Sequence, residues 1–205
     1  MDIKLKLINH SNDTNNSEVV IFSKNVSTNY GELAVAWQVI QNMGQGDYHP
    51  FTYATEVYVA ASDSYGNFTP QLAAANGEKF HMILTSSGDE LTADGQSASP
   101  NEITIANDLT KGAINAYIYR SGKLFAEKTG IAPGQEAVFE FKPTIWIGVA
   151  SQVIEGQVMN SAILSQINTE ISLLGIASAD IVMTGGGTGP EAQPFQFTLE
   201  NVVMV

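Results

Sequence analysis

AINAYIYRSGKLFAEK, residues 113–128, decides the fold. Ala113–Tyr119 and Leu124–Lys128 are short runs rich in Ile, Tyr, Leu and Phe, and Arg120-Ser121-Gly122-Lys123 between them supplies the turn of a tight β-hairpin. The same grammar continues on both sides. Turn residues recur about every 8–12 positions, the spacing of sandwiches and barrels; among them are Asn76-Gly77, Asp94-Gly95 and Pro133-Gly134. Ile3–Ile8 alternates Ile3, Leu5 and Leu7 with Lys4 and Lys6, a one-sided strand. Further strands are expected over 18–23, 55–61, 79–85, 102–106, 136–141, 144–151, 162–168, 170–174, 179–184 and 195–203.

Residues 30–43 read two ways. Asn29 as N-cap, Glu32 three residues later and Gly44 as a stop describe a helix. Leu33, Val35, Trp37 and Val39 on one face describe a strand, which the surrounding β pattern favours. The expectation is therefore an all-β chain: a two-sheet antiparallel β-sandwich, jelly-roll or immunoglobulin-like, with long loops, at most one short helix and a single domain over 1–205. No internal repeat is visible. The Thr92–Asn101 and Thr184–Pro194 stretches read as exposed loops, and the strand after the second pairs in its own sheet or reaches a neighbouring subunit.

Nine basic against 21 acidic residues give a net charge of −12. That balance excludes a nucleic-acid or anionic-membrane partner, both of which need clustered Lys and Arg. The chain has no Cys, so disulfides, thiolate metal sites and thiol nucleophiles are excluded. No stretch has 18 consecutive apolar residues, so no membrane span is expected. MDIKLKLI lacks the apolar region of a Sec-type signal, which predicts a cytoplasmic protein or one exported by a route without such a signal.

Motifs for chemistry are sparse. His10, His49 and His81 lack metal-ligand spacing, and the G-x-S-x-G elbow is absent. Gly185-Gly186-Gly187-Thr188-Gly189 follows a strand but leads into Pro190 and Glu191 rather than Lys and a helix, so it is no phosphate loop. Asn12–Asn16 and Asp63–Asn67, with Asp89, Glu90 and Asp94 as third contributors, resemble calcium loops in composition, but Asn, Asp and Gly are also what β-turns require. Glu136 and Glu140 suggest a solvated strand face rather than a glycosidase pair. No catalytic residue, cofactor or metal is expected.

Two features point to function. After Lys142 the remaining 63 residues carry only Glu155, Glu170, Asp180, Glu191 and Glu200 as charges, so something other than water covers much of this segment. The leading expectation is a non-enzymatic structural or assembly subunit whose partner is itself, as an oligomer or filament. The contact falls on Gln152, Val153, Gln157, Met159, Gln166, Phe195, Phe197 and Leu199. The second feature is the aromatics between Trp37 and Phe68. A lectin-like module would use Asp47, Tyr48, His49 and Tyr53 to hold neutral glycans, stacking rings on sugars and hydrogen-bonding hydroxyls. The third reading is a membrane-active, toxin-like β protein, which the acidity disfavours.

Overall fold

A computed structural model describes residues 2–27 and 34–205. It is all-β. The strands are β1 (Ile3–Asn9), β2 (Val19–Phe22), β3 (Gln38–Ile40), β4 (Tyr48–Tyr53), β5 (Val57–Ser62), β6 (Leu72–Ala74), β7 (Glu78–Thr85), β8 (Gly88–Gln96), β9 (Ile103–Asn107), β10 (Ile114–Arg120), β11 (Lys123–Ile131), β12 (Glu136–Phe139), β13 (Thr144–Val149), β14 (Thr169–Ser172), β15 (Ile176–Gly186) and β16 (Gln193–Met204). One short helix, α1 (Ser161–Leu164), and a 3-10 turn at Gly189–Glu191 complete the described elements.

Four four-stranded sheets stand where two were expected, in the orders β16-β15-β1-β4, β14-β13-β2-β3, β11-β10-β5-β6 and β12-β9-β7-β8. Nor are they purely antiparallel, since β1 pairs with β15 and β7 with β9 in parallel. The chain divides into two compact units with two sheets each. Unit 1 is Met1–Lys24, Ala34–Thr55 and Pro143–Val205; unit 2 is Asn25–Leu33 and Glu56–Lys142.

Each unit closes on aromatic side chains. In unit 1, fully buried Trp37, just before β3, has Phe51 and Tyr53 of β4 edge-on at 6.1 and 5.7 Å between ring centroids. In unit 2, Phe141 meets Phe125 of β11 edge-on at 4.8 Å and stacks near Phe139 of β12 at 6.5 Å. Buried aromatics contribute large apolar area and add pair energy through their quadrupoles.

Several local expectations change. Residues 30–33 of the ambiguous segment lie outside the described residues; beyond them the chain is extended, with Val35 bridged to Val158 and Gln38–Ile40 forming β3. The strand expected at 162–168 is instead α1 and the turns after it, because the Asn160 side chain caps the backbone N–H of Ile163 at 3.0 Å and starts a helical turn. The 92–101 stretch, expected as a loop, carries β8 to Gln96, with Gly95 taking up a bulge at φ +116. Residues 48–53, expected as a loop, form an edge strand that tolerates Pro50 because a proline there removes no interior ladder bond.

The two units also share one connectivity. If β1–β4 are matched to β9–β12 and β13–β16 to β5–β8, every ladder in unit 1 has its counterpart in unit 2 with the same direction. The sheet β16-β15-β1-β4 becomes β8-β7-β9-β12, and β14-β13-β2-β3 becomes β6-β5-β10-β11. The chain thus runs one eight-strand order twice, and each unit takes its first four strands from one pass and its last four from the other.

Residue-level bonds repeat as well. Asn9 N donates to Asp47 O, and Asn107 N to Gln135 O; Gly46 N donates to Asn9 O, and Gly134 N to Asn107 O; His10 N donates to Met183 O, and Asp108 N to Met82 O. Both buried asparagines donate Nδ2 at the end of the third strand of their half, Asn9 to Met43 O just after β3 at 2.7 Å and Asn107 to Ile131 O, the last residue of β11, at 2.8 Å. Gly95 and Asn201, both at positive φ, mark matching bulges in β8 and β16. This repeat was not visible in the sequence.

Candidate functional site

The residues expected to hold a ligand divide on β4. Tyr53 is buried against Trp37, so its ring belongs to the core. The Asp47 carboxylate accepts the Gly44 N–H at 2.8 Å and shapes the turn into the strand. Tyr48 and His49 are exposed, Tyr48 strongly so. Of the aromatics between 44 and 53, Tyr48 alone presents its ring to solvent, since Phe51 also packs on Trp37.

The segment from 152 to 166 is tied to its own unit through its backbone and through Val153 and Met159, while most of its other side chains are exposed. Ala36 N donates to Gln157 O, Gly156 N to Ala36 O and Met159 N to Ala34 O. Val153 and Met159 sit in a core cluster with Val20, Phe22, Ala36, Ala150 and Ile167, so their side chains are not open to a partner. Gln152, Gln157 and Gln166 remain exposed. On β16, Phe197 faces the core, Phe195 and Leu199 are half-buried, and Gln196, Thr198 and everything from Glu200 to Val205 are exposed.

β16 is an edge, and the edges differ in how they are guarded. Exposed backbone at a sheet edge pairs with other chains unless charge or proline blocks it. Of the edge strands longer than four residues, β4 carries Pro50, β8 carries Asp89, Glu90 and Asp94, and β11 carries Lys123, Glu127 and Lys128. β16 is the longest, at 12 residues, with Pro194 at its second position and Glu200 as its one charge. Its structural counterpart β8 has three acids in nine residues. The same position in the fold therefore carries three acids in one unit and, beyond Pro194, a single acid in the other, and this sparsely guarded edge runs on into exposed Val202, Val203, Met204 and Val205, with Leu174 also exposed.

Other candidates have local roles. His81 Nδ1 lies 2.5 Å from Asp108 Oδ2. His10 and His49 are in unit 1 and His81 in unit 2, and among the described residues no three His, Asp or Glu side chains gather as a metal site. Among those residues no helix is long and apolar enough to cross a membrane. Glu136 takes an ion pair from Lys79 at 2.8 Å.

Both loops with calcium-like composition are tied by their own aspartates. Asp13 accepts the N–H groups of Asn15 and Ser17, at 3.0 and 2.7 Å. Asp63 accepts Asn67 Nδ2 at 2.7 Å and the N–H groups of Tyr65 and Asn67 at 2.8 and 2.9 Å. The Asn67 side-chain bond, then the Asn67 backbone N–H, hold the Asp63 carboxyl below its ordinary value of 3.8. A depressed carboxyl stabilises the loop above that ordinary value, and the contribution disappears as pH falls through the lower, folded value. Hydrogen exchange at the Tyr65 and Asn67 amides is expected to speed up on acidification below pH 3.8, relative to the β10–β11 ladder; unchanged relative rates would contradict the role of Asp63.

Comparison of the chain with protein-family models, with curated proteins and with solved structures finds no match.

Proposed function

We propose that this chain is a non-enzymatic structural subunit that assembles with copies of itself, with the β16 edge as the contact. The observation that carries the reading is the contrast between β16 and β8, one position in a repeated fold with one acid on the first strand and three on the second. A second copy is the occupant that charge favours. At −12 two copies repel one another over most of their surface, so they meet best where charge is absent. Residues 195–199, beyond Pro194, are such a stretch, and two β16 strands laid antiparallel there extend the sheet by backbone hydrogen bonds alone. Of the residues expected from sequence, this contact keeps Phe195 and Leu199, while Gln152, Gln157 and Gln166 stay outside it.

Light scattering after size-exclusion chromatography tests it. The wild-type protein is expected to have the mass of two or more chains and to associate more strongly as salt screens the like charges. Gln196→Lys/Thr198→Lys changes two exposed positions, and the doubled like charge across the contact is expected to weaken association about tenfold or more. A monomeric wild type at high concentration, or a double variant that associates unchanged, refutes the reading.

A further inference from the structure

The repeated fold lets one place be compared twice. In unit 1 the β1–β2 connection is zipped to β15: after the His10 N to Met183 O bond, Asn12 N donates to Gly185 O at 2.7 Å, and Asn12 bridges to Gly186. In unit 2 the matching ladder reaches Asp108 N to Met82 O. Beyond it Leu84 and Thr110, which stand where Gly185 and Asn12 stand in unit 1, line a cleft of about 260 Å3 together with Tyr65, Asp89 and Lys111. A second hollow of about 310 Å3, lined by Asn67, Phe68 and Met82, shares Asp63 and Asp89 with the first. Together they form a groove at the same end of the fold that unit 1 closes.

The groove gathers the exposed apolar surface of its unit. Unit 2 has four strongly exposed large apolar side chains among the described residues, Val26, Tyr65, Phe68 and Leu84, and the last three rim this groove. Tyr65 is 90% exposed and Phe68 60%. Phe68 rests on the Tyr117 ring at 5.1 Å, which leaves its other face outward. The Asp63 bonds fix the loop that carries both rings, so the platform is formed before any ligand arrives.

The polar groups choose the ligand. Asp89 and Lys111 bring opposite charges to one cleft, and no ion pair joins them among the described residues. An anion there meets the Asp89 carboxylate, and a cation meets the Lys111 ammonium. A neutral polyhydroxyl ligand satisfies both, because each hydroxyl donates to a carboxylate and accepts from an ammonium. Aromatic faces take the C–H face of a sugar ring. Each hollow is near the lower bound of about 300 Å3 for ligand pockets, room for a single small ring. We propose that this groove binds a neutral saccharide chain, with one ring in each hollow. The glycan reading thus moves from the 47–53 segment to unit 2, and it does not depend on self-association.

Amide chemical shifts of the 15N-labelled full chain, titrated with linear neutral hexasaccharides of the malto, cello, xylo and chito series, test the proposal. At least one is expected to shift residues 63–69, 84–89 and 109–113 together at about 10 mM or below. Tyr65→Ala and Lys111→Ala, both exposed, are each expected to weaken that binding about tenfold, whereas Tyr48→Ala in unit 1 leaves it unchanged. No shift with any of the four series overturns the proposal. So do shifts confined to other residues, wild-type affinity in both groove variants, or tighter binding of a heparin hexasaccharide than of every neutral one.

Discussion

Gly185→Ala is expected to destabilise unit 1 by about 3 kcal/mol or more, from left-handed strain plus a backbone clash. The residue has φ +88, and a Cβ added there lies 2.1 Å from Pro194 O, 2.9 Å from Pro194 C and 3.1 Å from Phe195 Cα. These are backbone atoms, so relief requires β16 to part from β15 where the ladder is already bulged between Thr184 and Gly186. Gly46 separates the two causes. It shares unit 1 and φ +88, but nothing stands within 4 Å of its Cβ, so Gly46→Ala is expected to lose only about 1–2 kcal/mol. Trp37 and Trp146 are the only tryptophans and both lie in unit 1, which makes urea unfolding followed by tryptophan fluorescence a specific readout. Equal losses in the two variants would show that the approach of β16 is not what Gly185 serves.

Gly185 also shows why the repeat is hard to read from sequence. Its counterpart in unit 2 is Leu84, because the β7–β8 connection is a tight turn between Thr85 and Gly88, whereas β15 and β16 are joined through Gly187 and a 3-10 turn. The positions that keep their chemistry are few: Asn9 with Asn107, Gly46 with Gly134, Met183 with Met82, Phe51 with Phe139. The spacing is 98 residues for Asn9 and Asn107, 88 for both Gly46 with Gly134 and Phe51 with Phe139, and 101 for Met82 and Met183, so no single period runs through the chain. What repeats is the ladder and its buried asparagine, which many apolar sequences satisfy.

Locally determined features were legible. Ser121-Gly122 sets the β10–β11 hairpin, both at positive φ with Arg120 opposite Lys123, as the turn chemistry required. The lack of basic residues after Lys142 was legible as a fact, but sequence could not say what lies behind it. β13 and β15 are interior strands, which removes part of the need for charge. Cations also arrive from the first pass of the fold: Lys6 pairs with Asp180 at 3.0 Å, and the Lys24 ammonium sits 3.2 Å from the Trp146 ring centroid. What these leave over is the sparsely charged edge of β16, where the proposed contact lies. The groove was illegible because three connections separated in sequence build it, and its aromatic platform became distinct only once Phe51 and Tyr53 had turned inward.

Trp37 is where that inward turn is decided, and Trp37→Ala is expected to destabilise unit 1 by about 3–5 kcal/mol, the usual effect of removing a fully buried large aromatic. The ring is 0% exposed, and Phe51 and Tyr53 both meet it edge-on, so truncation leaves two aromatic faces against a void. β4 pairs only with β1 in its sheet, and Trp37 joins it to the segment entering β3. Loss of the ring is therefore expected to loosen β4 first, with faster hydrogen exchange from Tyr48 to Tyr53 than in the β13–β2 ladder. Tyr53→Ala should follow the same course, and the double variant should fall short of the sum by about 0.5–1.5 kcal/mol, the coupling of an aromatic pair. Trp146 remains to report unfolding in all three proteins. A Tyr53→Ala protein as stable as wild type, with no coupling to Trp37, would show that the Tyr53 ring is not part of what holds β4 to the core.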